Sequence, residues 1–408
     1  MAQIAVLGHG TVGSGVVALI LKNGDSIAQR TGEFLSVKRI LDLREFPDLP
    51  YSEKFTKDFD EILNDSDIKV VAEVMGGVNP AFEYVSACIK AGKSVVTSNK
   101  ELVAAKGAGL LAAAAAKGVH FLFEASVGGG IPVIAPIRRN LAANEICEIS
   151  GILNGTTNYI LTKMQSCGLS FSEALKQAQS LGYAEANPAA DVEGQDACRK
   201  ICILASLAFG SHVYPEHVKA QGIVDITAAD ILYAQNAGRS VKLVARASRS
   251  DSGICVEVAP VMISGDNLFA NVNDVYNIVS VRGDAVGDVV FYGQGAGRES
   301  TASAVVSDII ECLTLPADKK PRWIDSSGNN VVNSNKRTSR FYVRCKGGGS
   351  EIALIFGETK PLEREDQPLD EFAFITSETE YGELQNKLSQ AREAGVQILG
   401  AIRVSDFD

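Results

Sequence analysis

Asp196 and Lys200 stand four residues apart in a stretch whose apolar spacing predicts a helix over 195–209. At that separation two side chains share one helix face and can form an ion pair. Glu185 and Asp191 precede them in a Gly- and Pro-marked turn over 182–194. Turns over clefts are where ligands are read. Carboxylates suit the ammonium group of an amino acid. A lysine whose pKa is lowered by desolvation and a second cation suits another task, giving a proton to a carbonyl oxygen as hydride arrives. Lys100 and Lys200 are the candidates for it. The competing reading of Asp196 and Lys200 is a solvated helix pair, worth roughly a few tenths of a kcal/mol.

The second constellation is Gly8-His-Gly-Thr-Val-Gly13, which follows the apolar run 3–7 and opens a helical pattern. Its first glycine permits a tight turn, its second lets the backbone approach a pyrophosphate, and its third lets the helix pack on a sheet. The helix N-terminus then offers N–H groups and positive potential to the phosphates. Gly8, Gly10, Thr11, Val12 and Gly13 are the expected contacts of such a cofactor. His9 reads as a solvent-facing loop residue rather than a catalyst. At the end of the next strand pattern, 36–43, Asp42 suits the ribose 2′-hydroxyl of NAD, while Arg44 suits the 2′-phosphate of NADP. Both are present, so the choice between NAD and NADP stays open here.

The elements that must position these groups can be read around them. Strand patterns at 3–7, 36–43, 68–74, 94–97 and 120–123 alternate with helical ones at 80–92 and 101–117. That alternation predicts an α/β fold: a parallel sheet covered on both faces, the Rossmann arrangement, over 1–130. Beyond it, helices at 132–142, 157–167, 170–181 and 195–209 and strands at 145–153, 254–264 and 275–292 are more segregated, as in an α+β domain over 131–294. Gly295-Ala-Gly297 opens a further helix, 299–313. Polar residues over 316–340, including Lys336 and Arg337, read as a linker. Strands at 341–345, 351–357, 371–376 and 397–404 with a helix at 380–394 predict a small third domain over 341–408.

Four segments together resemble homoserine dehydrogenases: Thr97-Ser-Asn-Lys100-Glu-Leu-Val, Glu124-Ala-Ser-Val-Gly-Gly-Gly-Ile-Pro132, Gly151-Ile-Leu-Asn-Gly-Thr-Thr-Asn158, and the long block from Gly182 to Lys200. The resemblance covers about the first 315 residues, then more loosely the remainder. It implies NAD(P)H-dependent interconversion of aspartate semialdehyde and homoserine. It also implies that Lys200 and Lys100 serve the proton transfer, and that Glu185, Asp191 and Asp196 hold the substrate or orient the lysine. Thr97, Ser98, Lys100 and Gly297 would lie at the cofactor, with helix 299–313 packed back onto the first domain. Glu124 and the carbonyls of Val127, Gly129 and Ile131 would bind a monovalent cation, sodium or potassium. The central domain would pair two copies into a homodimer or homotetramer.

Two departures from the family pattern stand out. Leu41 occupies the place where many relatives carry an arginine, so an NADP anchor is partly lost and good use of NAD is expected, with the preference between the two still open. Many bacterial relatives end in a ferredoxin-like ACT domain whose first strand is followed by a Pro-fixed loop and a helix. Here Lys346-Gly-Gly-Gly-Ser350 and an apolar run read as a strand follow instead. The expectation is therefore a truncated ACT-like domain that does not respond to threonine.

Composition narrows the remaining classes. The chain of 408 residues carries a net charge of −10, which argues against a nucleic-acid surface or binding to an anionic membrane. No apolar run is long enough for a membrane span, and no signal peptide is visible. Eight scattered cysteines without a C-x-x-C pair read as reduced thiols of a cytoplasmic protein. Two other functions compete: a dehydrogenase of another amino acid, and an NAD(H)-binding redox sensor. The sensor leaves Asp191, Asp196 and Lys200 without purpose. An acyl-phosphate-forming dehydrogenase needs a nucleophilic cysteine in a suitable Gly- or Ser-flanked loop, and no cysteine of the sequence sits in one.

Overall fold

Strand β1 (Ala2–Leu7) is buried from Ile4 onward, and helix α1 (Thr11–Thr31) follows it directly. A computed structural model describes residues 1–332 and 337–405. In chain order come β2 (Leu35–Leu41), β3 (Phe55–Thr56), α2 (Asp60–Leu63), β4 (Ile68–Glu73), α3 (Ala81–Lys90), β5 (Ser94–Thr97), α4 (Lys100–Lys117), β6 (Phe121–Leu122), α5 (Ile134–Arg139) and β7 (Ile146–Ile152). Next are α6 (Gly155–Cys167), α7 (Phe171–Ser180), α8 (Ala189–Val192), α9 (Gln195–Phe209), β8 (Lys219–Ala220), α10 (Ala228–Asn236), β9 (Arg239–Ser250), β10 (Gly253–Ser264), β11 (Tyr276–Gly283), β12 (Gly287–Gln294) and α11 (Arg298–Thr314). The last are β13 (Thr338–Lys346), α12 (Gly349–Phe356), β14 (Thr359–Leu362), β15 (Glu371–Thr376), β16 (Thr379–Glu380), α13 (Tyr381–Glu393) and β17 (Gln397–Val404).

These elements form two compact units. The first holds Met1–Ile149, Arg199–His217 and Ser280–Asn330. Its parallel sheet has the order β3-β2-β1-β4-β5-β6. In that order the strand sequence reverses beside β1, and such a switch point opens a crevice at the carboxyl ends of the strands. One face of the sheet is covered by α1 and α11, whose Val16, Ile20, Ala302, Val305 and Ile309 join Ile4, Val6, Val70 and Ala72 in one core. The polar stretch after α11 hides Trp323, which is 1% exposed. The Nε1–H of Trp323 donates to His212 Nδ1 at 2.8 Å, and His212 Nε2 lies 2.9 Å from the Ala104 carbonyl. The ring therefore holds its proton on Nε2. Residues 333–336 of the expected linker lie outside the described residues, as do 406–408.

The second unit holds Ser150–Cys198, Val218–Val279 and the described residues from Val331 onward. Its strands run in the order β7-β9-β10-β17-β13-β15-β14. The C-terminal part is a full βαββαβ ferredoxin-like arrangement: β17, β13, β15 and β14 pair antiparallel, with α12 and α13 over a shared core. β17 in turn pairs parallel with β10, through Val261 with Arg403 and Met262 with Val404. Buried Arg344 fastens this part to α10, donating to Asp230 at 2.8 Å and to Glu371 at 3.3 Å.

The expected truncation is thus corrected. Residues expected as a strand over 351–357 form helix α12 instead, and the argument against an effector response falls with them. Gly347 and Gly348 take left-handed φ values of 73° and 71°, which turns the chain out of β13. Ile352 and Phe356, four apart, are then the residues it buries, while Leu354 is 87% exposed. A short apolar run does not reveal its period, and here the period is helical. The single strand expected over 275–292 is likewise a hairpin, broken at Gly283 and Gly287 into β11 and β12.

Candidate active site

The glycine loop has the predicted geometry. Gly8 takes φ +97°, which favours glycine, and a Cβ on Gly13 would lie 2.0 Å from the Gly8 carbonyl oxygen. A Cβ on Gly10, the N-cap of α1, would meet nothing within 4 Å, so this side of the loop is open for a ligand's close approach. Thr11 and Val12 form the first turn of α1. Gly297, the N-cap of α11, is drawn to the same place: Arg298 donates through Nε to Ser14 Oγ at 3.1 Å and through Nη2 to the Ser14 carbonyl at 3.2 Å. A pyrophosphate would find two helix N-termini here.

Asp42 follows β2. Its carboxylate takes Arg44 Nε and Nη2 at 3.0 and 2.9 Å, the Arg44 amide at 3.0 Å and the His9 amide at 2.7 Å. Those bonds, the Arg44 guanidinium first, hold its carboxyl well below the usual range. Arg44 lies 5.3 Å over the Phe46 ring, beside a cavity of about 250 Å³ that Ser52, Thr56 and Lys57 also line. His9 is not solvent-facing as expected. It is 6% exposed, edge-on to Phe46 and Phe55, because its side chain folds back from the loop onto aromatic residues that follow β2. Burial lowers its pKa.

At the end of β4 stands Glu73, which the sequence reading passed over. It is fully buried, and burial raises its pKa. Its carboxylate accepts from Thr97 Oγ1 at 2.7 Å and from the Met75 amide at 2.8 Å. Thr97 Oγ1 accepts from the Asn99 amide at 2.9 Å, and Asn99 caps α4 by accepting from the Leu102 amide at 3.0 Å. Lys100 is the first residue of that helix, and the Ser98 amide points to the Glu73 carbonyl at 3.4 Å. The available signal was an acid directly after the apolar run Val70-Val-Ala72. In the same unit Arg199 pairs with Glu101 at 3.4 Å, so the neighbours of Lys100 and Lys200 are joined. Lys200 itself is 8% exposed.

In the second unit Asn154 gathers the predicted carboxylates. Its Nδ2 donates to Asp191 at 2.7 Å and to Asp196 at 2.9 Å, while its Oδ1 accepts from the Thr157 amide at 2.8 Å and caps α6. Asn154 and Asp196 are 5% and 2% exposed. A buried amide that spends both its donors on two acids fixes their separation. An Asn before Gly-Thr-Thr is a helix-start signal, and it was the available clue to Asn154. Glu185 stands apart, exposed on the turn, where its backbone carbonyl accepts from Gln179.

Glu124 does not offer the free carboxylate expected of a cation ligand. Its oxygens accept from the amides of Val133, Ile134 and Ala135 at 2.7, 2.8 and 2.6 Å, capping α5. Its own amide donates to Asp308 at 2.8 Å, a fully buried carboxyl whose pKa burial raises well above normal. Val127 and Ile131 are buried beside it, and Gly129, at φ +58°, packs where a Cβ would strike Gly295. Any cation here would rest on the loop's neutral carbonyl oxygens, hard donors suited to a single positive charge.

Comparison with known proteins agrees with this geometry. Residues 8–124 match the NAD-binding domain of homoserine dehydrogenase, and residues 132–310 match homoserine dehydrogenase itself. The chain is 44% identical to a homoserine dehydrogenase of Pseudomonas aeruginosa over 370 residues, 87% of this chain and 85% of that one. It is 42% identical to that of Bacillus subtilis, covering 95% and 94% of the two chains. A crystal structure of a homoserine dehydrogenase from Thiobacillus denitrificans superposes with a TM-score of 0.91 at 34% identity, covering 100% of this chain and 99% of that one. A hyperthermophilic archaeal homoserine dehydrogenase in complex with NADPH superposes at 0.67 and 29% identity, covering 78% and 99%. The chain belongs to the homoserine dehydrogenase family.

Proposed function

We propose that the chain reduces L-aspartate 4-semialdehyde reversibly to L-homoserine with NADH or NADPH, a step of threonine, methionine and isoleucine biosynthesis. Family membership makes it an NAD(P)-dependent oxidoreductase acting on a CH–OH group. The observation that carries the substrate reading is the Asn154 bridge, which holds Asp191 and Asp196 as paired acceptors for an amino acid's ammonium group. Glu185 adds a third carboxylate from the turn. The reduced nicotinamide supplies hydride when bound.

The chain's own residues do the rest. The amides at Gly10–Gly13, the residues Thr97 and Ser98, and the Gly297 turn hold the cofactor, with Asp42 and Arg44 at its adenosine end. Lys200 gives its proton to the carbonyl oxygen, and Asp196, one turn earlier on α9, orients it. Lys100 stands at the positive end of an 18-residue helix, where the macrodipole adds to its own charge. That potential stabilises the alkoxide developing on the substrate. The carbonyls of Val127, Gly129 and Ile131, beside Glu124, hold sodium or potassium. The assembly is a homodimer or homotetramer in the cytoplasm. Among the described residues no helix is long and apolar enough to cross a membrane.

Purified protein mixed with aspartate semialdehyde and either reduced cofactor should consume the cofactor's near-ultraviolet absorbance. Absence of turnover with both cofactors, with sodium or potassium present, would refute the reading.

A further inference from the structure

Lys242, on β9, is a buried cation to which the reaction gives no task. It is 1% exposed, and its ammonium donates to the Val272 carbonyl at 2.5 Å and to the side-chain oxygens of Asn158 and Asn273 at 3.3 and 3.2 Å. All three acceptors are neutral oxygens. An ammonium has three N–H donors and no acceptor, so each proton has a place, whereas a neutral amine would turn a lone pair toward one of the oxygens. Asn158 carries the contact further. It is fully buried on α6, and its Nδ2 donates to the carbonyls of Val272 and Tyr276, both at 3.1 Å. Lys242 and Asn158 together hold segment 272–277 on α6. That segment abuts the start of the helix, since a Cβ on Gly155 would lie 2.8 Å from the Val275 carbonyl oxygen. Gly155 directly follows Asn154, whose amide bridges Asp191 and Asp196.

We propose that Lys242 is a positioning residue for the substrate site, its ammonium holding segment 272–277 on the first turn of α6 and so fixing Asn154 and the two acids it bridges. The inference rests on the reading of Asp191 and Asp196 as acceptors for the substrate's ammonium group. Without the Lys242 charge, Val272 keeps its bond from Asn158, while the side-chain oxygens of Asn158 and Asn273 lose theirs. The helix start then has room to shift, and a small displacement of groups that orient a substrate is costly. The charge is also titratable. Burial pushes the Lys242 pKa down to about 8, and Asp274 opposes that shift. Asp274 pairs with Lys163 of α6 at 2.9 Å, β10 places Val261 opposite Lys242, and Asp230 of α10 is taken by Arg344 and Tyr342. Loss of the proton removes one of three donors, so the hold on segment 272–277 weakens as pH rises.

Two variants test this, each compared with the unaltered chain so that titration of the substrate cancels. Lys242→Met keeps an unbranched side chain and removes the charge. At about pH 7 its KM for aspartate semialdehyde should be roughly tenfold higher, the worth of one charge-assisted hydrogen bond. Its kcat and its KM for NADPH should be nearly unchanged. The ratio of the two KM values should fall toward one by about pH 9.5, where the unaltered chain has also lost the charge. Asn273→Asp alters an exposed residue, places a carboxylate on the ammonium and holds its proton to higher pH. That chain should match the unaltered one at about pH 7 and show the lower KM above about pH 8. It tests the inference even where Lys242→Met does not fold. A kcat loss as large as the KM change, a KM ratio constant with pH, or an Asn273→Asp KM that tracks the unaltered chain at every pH would overturn the inference and leave the substrate reading standing. Absence of turnover in the unaltered chain would refute both.

Discussion

Arg199 reaches Glu101 at 3.4 Å, and this one ion pair ties the helix that begins at Lys100 to the helix turn that carries Lys200. Each partner is the chain neighbour of a lysine assigned to proton transfer. Both are about a third exposed, so the pair itself adds little stability, about 0.2–1 kcal/mol. Its consequence is alignment. Lys200→Ala should lower kcat by roughly 10²–10⁴-fold, the worth of a positioned acid. NAD(P)H binding, followed by cofactor fluorescence, should be nearly unchanged. A loss below tenfold would move the proton donor to Lys100 or a water.

Asn154 performs two tasks that substitution can separate. Its side-chain oxygen caps α6 and its nitrogen bridges two acids. Asn154→Ala loses both, and the cap alone is worth about 0.5–2 kcal/mol. Asn154→Ser keeps a capping oxygen but cannot donate to both carboxylates. The serine variant should stay within a few degrees of the parent Tm while KM for aspartate semialdehyde rises about tenfold or more, one lost charge-assisted hydrogen bond. Equal losses of stability and activity in the two variants would reduce Asn154 to a cap.

Much of this was legible in advance, for reasons that particular residues show. The glycine loop could be read because Gly8 and Gly13 are demanded by sterics that no other residue meets. Helix α9 could be read end to end because its apolar spacing is regular. Strand β9 was missed because its inward positions include Lys242, 1% exposed, whose ammonium is taken by Asn158 and Asn273 side chains at 3.3 and 3.2 Å. A lysine reads as surface until distant acceptors are known. Helix α12 was misread because five apolar residues in six carry no period. The engagement of Glu124 with three amides depends on a backbone turn nine to eleven residues away.

Two buried histidines, His9 and His212, make stability depend on pH. Burial lowers both below the ordinary histidine value of about 6.5, so the unfolded chain binds the extra protons as pH falls. Their neutral rings therefore contribute stability that is full above the unfolded pKa of 6.5 and is lost progressively below it. Unfolding midpoints in urea should fall between pH 7.5 and 5.5, and His212→Gln should flatten that slope. An unchanged slope would mean that His212 is not held neutral by its bonds to Trp323 and Ala104.

A second copy would have an edge to pair with. β12 is the terminal strand of its sheet, and Val290 and Tyr292 on it are 39% and 57% exposed. An edge strand with exposed apolar side chains invites pairing, and a second copy offers a closed symmetric solution. Sedimentation at micromolar concentration should show a dimer or larger species, and Tyr292→Lys should shift it toward the single chain. A single-chain mass for the unaltered protein would refute this.

The cofactor question turns on the same bonds that occupy Asp42. In NAD enzymes the acid at this place accepts from the ribose hydroxyls. Here both carboxylate oxygens are already bonded to the Arg44 guanidinium. That leaves Arg44, laid over Phe46 and bordering a cavity with Ser52, Thr56 and Lys57, as the group facing an adenosine. A guanidinium held flat suits a 2′-phosphate, so Arg44 would compensate, three residues on, for the arginine expected at Leu41. The ratio of kcat/KM for NADPH to that for NADH should favour NADPH. Arg44→Ala should reduce the ratio by about tenfold, equivalent to roughly 1.4 kcal/mol, by removing the phosphate contact and freeing Asp42 for the ribose hydroxyls. Were the ratio to stay constant, the two residues would be a surface pair and selectivity would reside elsewhere in the cavity, with Lys57 the next to change.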